Sequence, residues 1–248
     1  MPLSVEEIRS NYLRVQEEIH RTALKCGRNP AEVRIVVVSK SQPVEVIKAA
    51  IQAGIHCFGE NYPEEAAEKI NALHGVEDVE WHMIGHLQSR KAKLVAAHFD
   101  WMHSVDSVRI AEKLERLLEE QKKYLRVLLE FNVGGEESKY GWLARERDRW
   151  PELITEIEQI QAFSHLQICG LMTMPPLTST LQEAQGFFRQ LRLLRDFLQA
   201  KLPNLNLTEL SMGTSADFPA AIMEGATLVR IGQAILGPRD YQKGRTYD

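Results

Sequence analysis

Three short stretches of this chain hold residues whose types and spacing can do chemistry. "VRIVVVSK" (33–40) runs four apolar residues into Ser39 and Lys40, while "LSMGTS" (210–215) and "VRIGQAILG" (229–237) end apolar runs in glycine and small or amide side chains. A lysine at the tip of a buried strand has two uses. Its stem can bury while the ammonium reaches water, or the amine can be desolvated into a nucleophile. Exposed, with a pKa of about 10.4, it is neutral in roughly 1 in 2,500 molecules at pH 7, and desolvation lowers that pKa by several units. Gly213 and Gly232 let backbone N–H groups approach an anion, and Ser211, Thr214 and Ser215 offer hydroxyl donors. From Gln233 a short helix opens with its partly positive N-terminus. Either stretch alone reads as a strand-end turn; the two together read as a phosphate cup. A reactive lysine beside such a cup suits a Schiff base with a phosphorylated aldehyde, either pyridoxal phosphate or a phosphorylated sugar.

Other groups carry weaker signals. His82 and His86 are four apart, a metal-ligand spacing on a helix, but they bracket a strand end and no third ligand is evident, so a metal is not expected. Glu136 and Glu137 are consecutive, point apart, and read as solvated, although "GGEESKYG" can also serve as a lid or partner surface. Asn132 faces inward by alternation, either supporting a site or satisfied within the core. The three cysteines, Cys26, Cys57 and Cys169, form no C-x-x-C pair and read as buried thiols rather than a disulfide framework or zinc site.

The elements that must position these groups alternate regularly. Ser4 and Glu7 make a capping box, and Val5, Ile8, Tyr12, Val15 and Ile19 keep a helical period as far as Cys26-Gly27. Strands are then predicted at 33–39, 55–59, 80–84, 100–104, 125–133, 166–173, 207–212 and 226–231. Helices lie between them, at about 43–53 and 63–73 and most clearly at 180–202, where Ala184, Phe187, Phe188, Leu191, Leu194 and Leu198 form one stripe. Eight strand-plus-helix units after an extra helix, with no linker, predict one domain over 1–248: an α/β fold, a single (β/α)8 TIM-type barrel. No G-x-G-x-x-G or P-loop follows an early strand, as an open nucleotide-binding sheet requires. In a closed barrel the last strand lies against the first, which sets Lys40 beside the cup.

Composition narrows the partners. With 30 Lys plus Arg against 34 Asp plus Glu, the net charge of −4 disfavours nucleic acid and anionic lipid, and "SRKAK" (89–93) reads as a solvated helix face. No segment is long and apolar enough to span a bilayer, and the start lacks a signal-peptide pattern, so a cytoplasmic protein is expected.

Taken in order, "VVVSKSQP", "CFGENYPEE", "WHMIGHLQSRK", "HSVDS", "NVGGEESKYG", "GLMTMPP", "LSMGTSADFPAAI" and "EGATLVRIGQAILG" resemble the successive blocks of the YggS/PROSC family, the pyridoxal phosphate homeostasis proteins. The resemblance spans about residues 33–237. It implies a barrel like the N-terminal domain of alanine racemase, binding pyridoxal 5'-phosphate without established catalysis and serving vitamin B6 and amino-acid balance. It implies that Lys40 forms the internal aldimine, that Asn61 lies near the cofactor, and that Arg230 faces the pyridine nitrogen. Ser211, Thr214, Ser215, Gly232 and Gln233 match the phosphate-binding blocks. The family commonly reads "SMGMSDDF" and "RIGTAIFG", so Thr214, Ala216 and Gln233 are departures that leave the backbone donors intact.

Three functions are thus weighed: a cofactor-binding regulator or carrier, a weak pyridoxal-phosphate-dependent amino-acid racemase, and a sugar-phosphate enzyme. Racemases of this fold take a second base from a C-terminal β domain, and only about a dozen residues follow the last strand element here. A charged arginine at the ring nitrogen also weakens the cofactor as an electron sink. The regulator is therefore expected, a monomer whose partners are the cofactor and either apo enzymes that receive it or a regulatory protein.

Overall fold

The computed structural model describes residues 3–176 and 178–238. Helix α1 (Val5–Lys25) is capped as expected, Ser4 accepting from the Glu7 N–H while the Glu7 carboxylate returns to the Ser4 backbone. It packs against α2 (Val44–Gln52), α8 (Phe218–Met223) and α9 (Gln233–Leu236).

The strands are β1 (Arg34–Val38), β2 (Cys57–Glu60), β3 (Glu80–Met83), β4 (Trp101–Val105), β5 (Leu125–Asn132), β6 (Trp142–Leu143), β7 (Leu166–Met172), β8 (Glu209–Thr214) and β9 (Leu228–Ile231). All pairings are parallel, and the order β4-β3-β2-β1-β9-β8-β7-β5 closes through a β4–β5 pairing. This is the expected eight-stranded barrel. The two-residue β6 was not expected; it pairs with the end of β5 outside the closed ring. Helices α3 (Pro63–Ala72), α4 (Ala92–His98), α5 (Val108–Gln121), α6 (Ile154–Gln161) and α7 (Leu181–Lys201) complete the alternation. Among the described residues no helix is long and apolar enough to cross a membrane.

Each strand separates two interiors, as period-two alternation requires. Outward-facing apolar residues join the helices in the larger core, where α7 contributes Ala184, Phe188, Leu191, Leu194 and Leu198. Inside the barrel a smaller apolar layer is made by Val36, Trp101, Leu128, Met172 and Leu228, with Cys57, Ile84 and Cys169 packed against it. Cys57 and Cys169 are thus partly buried, but Cys26 is exposed, contrary to expectation, because it caps α1 beyond its last packed turn.

Close approach of β7 to β8 depends on Gly170. The β5–β7 register shifts by one residue at Cys169, and Gly170 then lies opposite Glu209, whose carbonyl oxygen occupies the place of a Cβ. Gly170→Ala must push the β7 and β8 backbones away from each other, so we expect destabilisation by about 3 kcal/mol or more, the upper range of overpacking, read as a lowered urea midpoint at unchanged slope.

Candidate functional site

Four adjacent strands, β2, β1, β9 and β8, bring the sequence-predicted residues to one end of the barrel. The register pairs Val38 with Gly59, Val36 with Arg230 and Thr214 with Arg230. Lys40 and Asn61, each just past a strand end, and the 214–215 and 232–233 stretches therefore rim the same mouth, the C-terminal face where barrels place their sites. Lys40 and Asn61 are half-buried, Gly232 is buried, and Ser215 and Gln233 are exposed. Gln42 binds the end of α9 through the Gly237 carbonyl at 3.4 Å, tying the turn after Lys40 to the loop after β9.

That turn is strained and clamped. Ser41 has φ of 58°, left-handed backbone that a side-chain-bearing residue adopts at a cost. Its N–H donates to Glu65 Oε1 at 2.6 Å. On the other side of Lys40, the Ser39 hydroxyl donates to Glu60 Oε1 at 2.7 Å, and the Lys69 ammonium donates to the Ser39 carbonyl at 2.8 Å. Lys69 also pairs with Glu60 and Glu65, both at 2.6 Å. Burial pushes the Glu60 carboxyl up to about 7 against the opposing pull of Lys69. This buried cluster holds the backbone on both sides of Lys40. Sequence reading missed it; the only trace is Glu65 and Lys69, one turn apart on a helix whose Ala66 and Ala67 are apolar.

Arg230 lies inside the mouth, 4% exposed. Its guanidinium donates to Ser211 Oγ at 2.6 Å and to the Thr173 carbonyl at 2.9 Å, and it touches Met174 Sδ at 3.0 Å. Burial lowers it to about 10, so it is still charged at neutral pH. Ser211 is fully buried with its hydroxyl on Arg230 and His103, so of the three predicted hydroxyl donors only Thr214 and Ser215 stand at the rim. The Thr214 hydroxyl and N–H both donate to Asp217 Oδ1, at 2.9 and 2.6 Å.

Below Arg230 a chain of hydrogen bonds runs down the barrel. Ser211 meets His103 Nδ1 at 2.9 Å, His103 Nε2 meets His82 Nδ1 at 2.8 Å, and His82 Nε2 meets Glu80 Oε2 at 2.9 Å. Its direction is forced by its ends, because an arginine only donates and a carboxylate only accepts. Ser211 accepts from Arg230 and donates to His103, and both imidazoles carry their hydrogen on Nε2. Burial holds both rings below the ordinary histidine pKa, His103 far below. Burial would raise Glu80, but bonds from His82 and Trp101 and the charge of Arg126 outweigh it and hold it at about 2.

The remaining groups have structural partners. His86 leaves the strand altogether, pairing with Asp106 at 2.9 Å and stacking on Tyr140, so His82 and His86 do not converge. Asn132 accepts from the Gly135 N–H and donates to the Glu136 carbonyl, both at 2.7 Å, shaping the loop after β5. Glu137 is exposed, but Glu136 is half-buried. Glu130 is buried in the barrel, and burial with the nearby Asp106 charge raises it to about 7. Within "SRKAK", Lys91 pairs with Glu64 at 2.8 Å rather than lying wholly in solvent.

A lysine and a buried guanidinium converging on glycine-rich strand ends form a donor set for a small anionic ligand. Comparison with known proteins points the same way. Residues 4–240 match the family described as "Alanine racemase, N-terminal domain". A pyridoxal phosphate homeostasis protein of Vibrio alginolyticus is 40% identical over 240 residues, 96% of this chain and 100% of that one. Its counterpart in Escherichia coli K12 is 39% identical, covering 96% and 100%. Among solved structures, PipY of Synechococcus elongatus with pyridoxal phosphate bound is 38% identical, with TM-score 0.77 over 89% of this chain and 100% of that one. An alanine racemase of Clostridium difficile shares the fold at TM-score 0.68 and 16% identity, over 94% of this chain and 57% of that one.

The buried charges make two stability predictions. Lys69→Met leaves Glu60 and Glu65 facing each other without a cation, and we expect a loss of about 3–5 kcal/mol in urea unfolding at neutral pH. Glu130 has a raised folded pKa, so its contribution is complete below the unfolded value of 4.5 and is lost as pH rises through about 7. Glu130→Gln should therefore gain stability relative to wild type across that window, a difference absent at pH 4.

Proposed function

We propose a function from one premise: the chain belongs to the alanine racemase N-terminal domain family and, within it, to the pyridoxal phosphate homeostasis proteins. The protein binds pyridoxal 5'-phosphate and serves its intracellular balance. When bound, the cofactor supplies an aldehyde for a lysine and an anionic phosphate. The observation that supports this reading is the β1–β9 pairing, Val36 with Arg230 and Val37 with Ile231, which brings the Lys40 end of β1 to the same mouth as the Gly232–Gln233 turn.

In this reading Lys40 holds the cofactor covalently, kept in place by the Glu60–Lys69–Glu65 cluster behind its backbone. Ser215 and the N–H groups of Gly232 and Gln233 take the phosphate, and Thr214 joins them by turning its hydroxyl from Asp217. Asn61 flanks the ring on the β2 side. Arg230 faces the ring nitrogen, and Ser211 acts through Arg230, which it holds from below. A permanently charged donor there keeps that nitrogen unprotonated and makes a poor electron sink. The protein therefore acts as a cytoplasmic monomeric carrier or regulator, exchanging the cofactor with apo enzymes, rather than as a racemase.

Borohydride reduction of the yellow protein followed by peptide mass spectrometry should place the adduct on Lys40, and Lys40→Ala should fold but lose visible absorbance. An adduct on another lysine would overturn the assignment. Ser215→Ala should weaken cofactor binding about tenfold or more, the worth of one charge-assisted bond. With L- or D-alanine the loaded protein should show no turnover in the usual enzymatic range of about 1–10³ s⁻¹; turnover at such rates would favour the racemase.

A further inference from the structure

At the opposite end of the barrel from Lys40, three side chains of different chemistry meet. Cys57 Sγ, His82 Nε2 and a carboxylate oxygen of Glu80 all lie within 4.8 Å of one another. Sγ is 3.3 Å from Nε2, and Nε2 is 2.9 Å from Glu80 Oε2. We propose that these three groups bind a divalent transition-metal ion, with zinc(II) the best match to a thiolate, imidazole and carboxylate set. Zinc bonds of about 2.0–2.3 Å in tetrahedral geometry separate the donor atoms by about 3.3–3.6 Å. The Sγ–Nε2 and Nε2–Oε2 separations need open by only a few tenths of an ångström to admit it.

The ligands sit on neighbouring strands rather than on loops. Cys57 and Glu80 are register partners, and His82 follows two residues on, on the same inward face. The second atoms of Glu80 and His82 are already held by neighbouring groups, as the partners behind metal ligands are. Glu80 Oε1 accepts from Trp101 Nε1 at 2.7 Å and from Arg126 at 2.9 Å, leaving Oε2 toward the imidazole. The other His82 nitrogen is bonded to His103. Cys57 and Glu80 also line a cavity of about 630 Å³ beneath α1, shared with Tyr12, His20, Arg34 and His56, which gives an ion an entry path and a water as fourth ligand.

Two cations stand nearby, Arg34 at 3.6 Å from Glu80 Oε2 and Arg126 on Oε1. Against them are Glu80, Glu209, which pairs with Arg34 at 3.7 Å, and Asp100, which accepts from the Trp81 N–H at 2.8 Å. Binding forms the S–metal, N–metal and O–metal bonds, and the Cys57 thiol proton leaves to solvent. The His82 ring stays neutral but moves its hydrogen from Nε2 to Nδ1 and donates it to His103 Nε2, so His103 carries its own hydrogen on Nδ1 and donates to Ser211 Oγ, whose hydroxyl hydrogen turns away from the ring. An ion at the floor thereby alters the chain that ends on Arg230 at the mouth.

The test uses the full chain stripped with chelator and titrated with zinc(II) in competition with a chromophoric chelator, and separately with cobalt(II) as a spectroscopic probe. One equivalent should bind, and cobalt should show near-ultraviolet sulfur-to-metal charge transfer with tetrahedral visible bands. Cys57→Ser, nearly isosteric, should abolish the charge-transfer band and lower zinc affinity by about 100-fold, at or beyond the upper end of the effect of losing a partner behind a ligand. His82→Gln should do likewise, while Cys26→Ser and Cys169→Ser should change neither. Should His82→Gln fail to fold, the cobalt spectrum of Cys57→Ser decides. Absence of binding, or binding that survives Cys57→Ser but is lost in Cys26→Ser, would overturn the proposal.

Discussion

A parallel sheet of eight strands loses its edges only when its last strand bonds to its first, and here that closure rests on β1 lying between β2 and β9. The same pairing carries "VSK" to the side of "VRIG", residues nearly two hundred positions apart in the chain. No local preference could make that contact. It arises because right-handed crossovers each bury a helix face against the sheet until the two ends of the sheet meet.

Closure creates an interior largely shut off from water, and most polar groups that point inward find partners there. The barrel meets this with one directed chain, from a guanidinium that only donates, through a hydroxyl and two neutral imidazoles, to a carboxylate that only accepts. Because each member has one role, the chain fixes the tautomer of both histidines and the rotamer of Ser211. Arg230 is thereby held rigidly at the level of the mouth, as a side chain that must meet a ligand in one orientation requires.

Outside the barrel wall, the Glu60–Lys69–Glu65 cluster does for the backbone what that chain does for Arg230. A salt-bridged cluster this deep has a desolvation penalty that can exceed its Coulombic gain, so stability alone does not explain it. It braces the left-handed turn at Ser41 and the carbonyl of Ser39, and so fixes the direction in which Lys40 leaves the strand.

The alternation of strands and helices was legible from periodicity, because an apolar face recurs at 2.0 or 3.6 residues whatever its partner. Lys40 and the glycine-bearing strand ends stood out because their residue types break that pattern at strand tips. The family resemblance added Asn61 and Arg230. The interior chain and the buried cluster were not legible: Glu80, His82, His103, Glu60 and Lys69 are scattered polar residues whose spacing resembles that of solvated ones. The hydroxyl of Ser211 shows the same limit, since its type suggests a phosphate donor while its inward register assigns it to Arg230 and His103. Sequence by itself determined which residues alternate and which are exceptional. Which exceptional residues touch was decided by the tertiary structure, because burial leaves polar groups only the partners that closure of the barrel brings within reach.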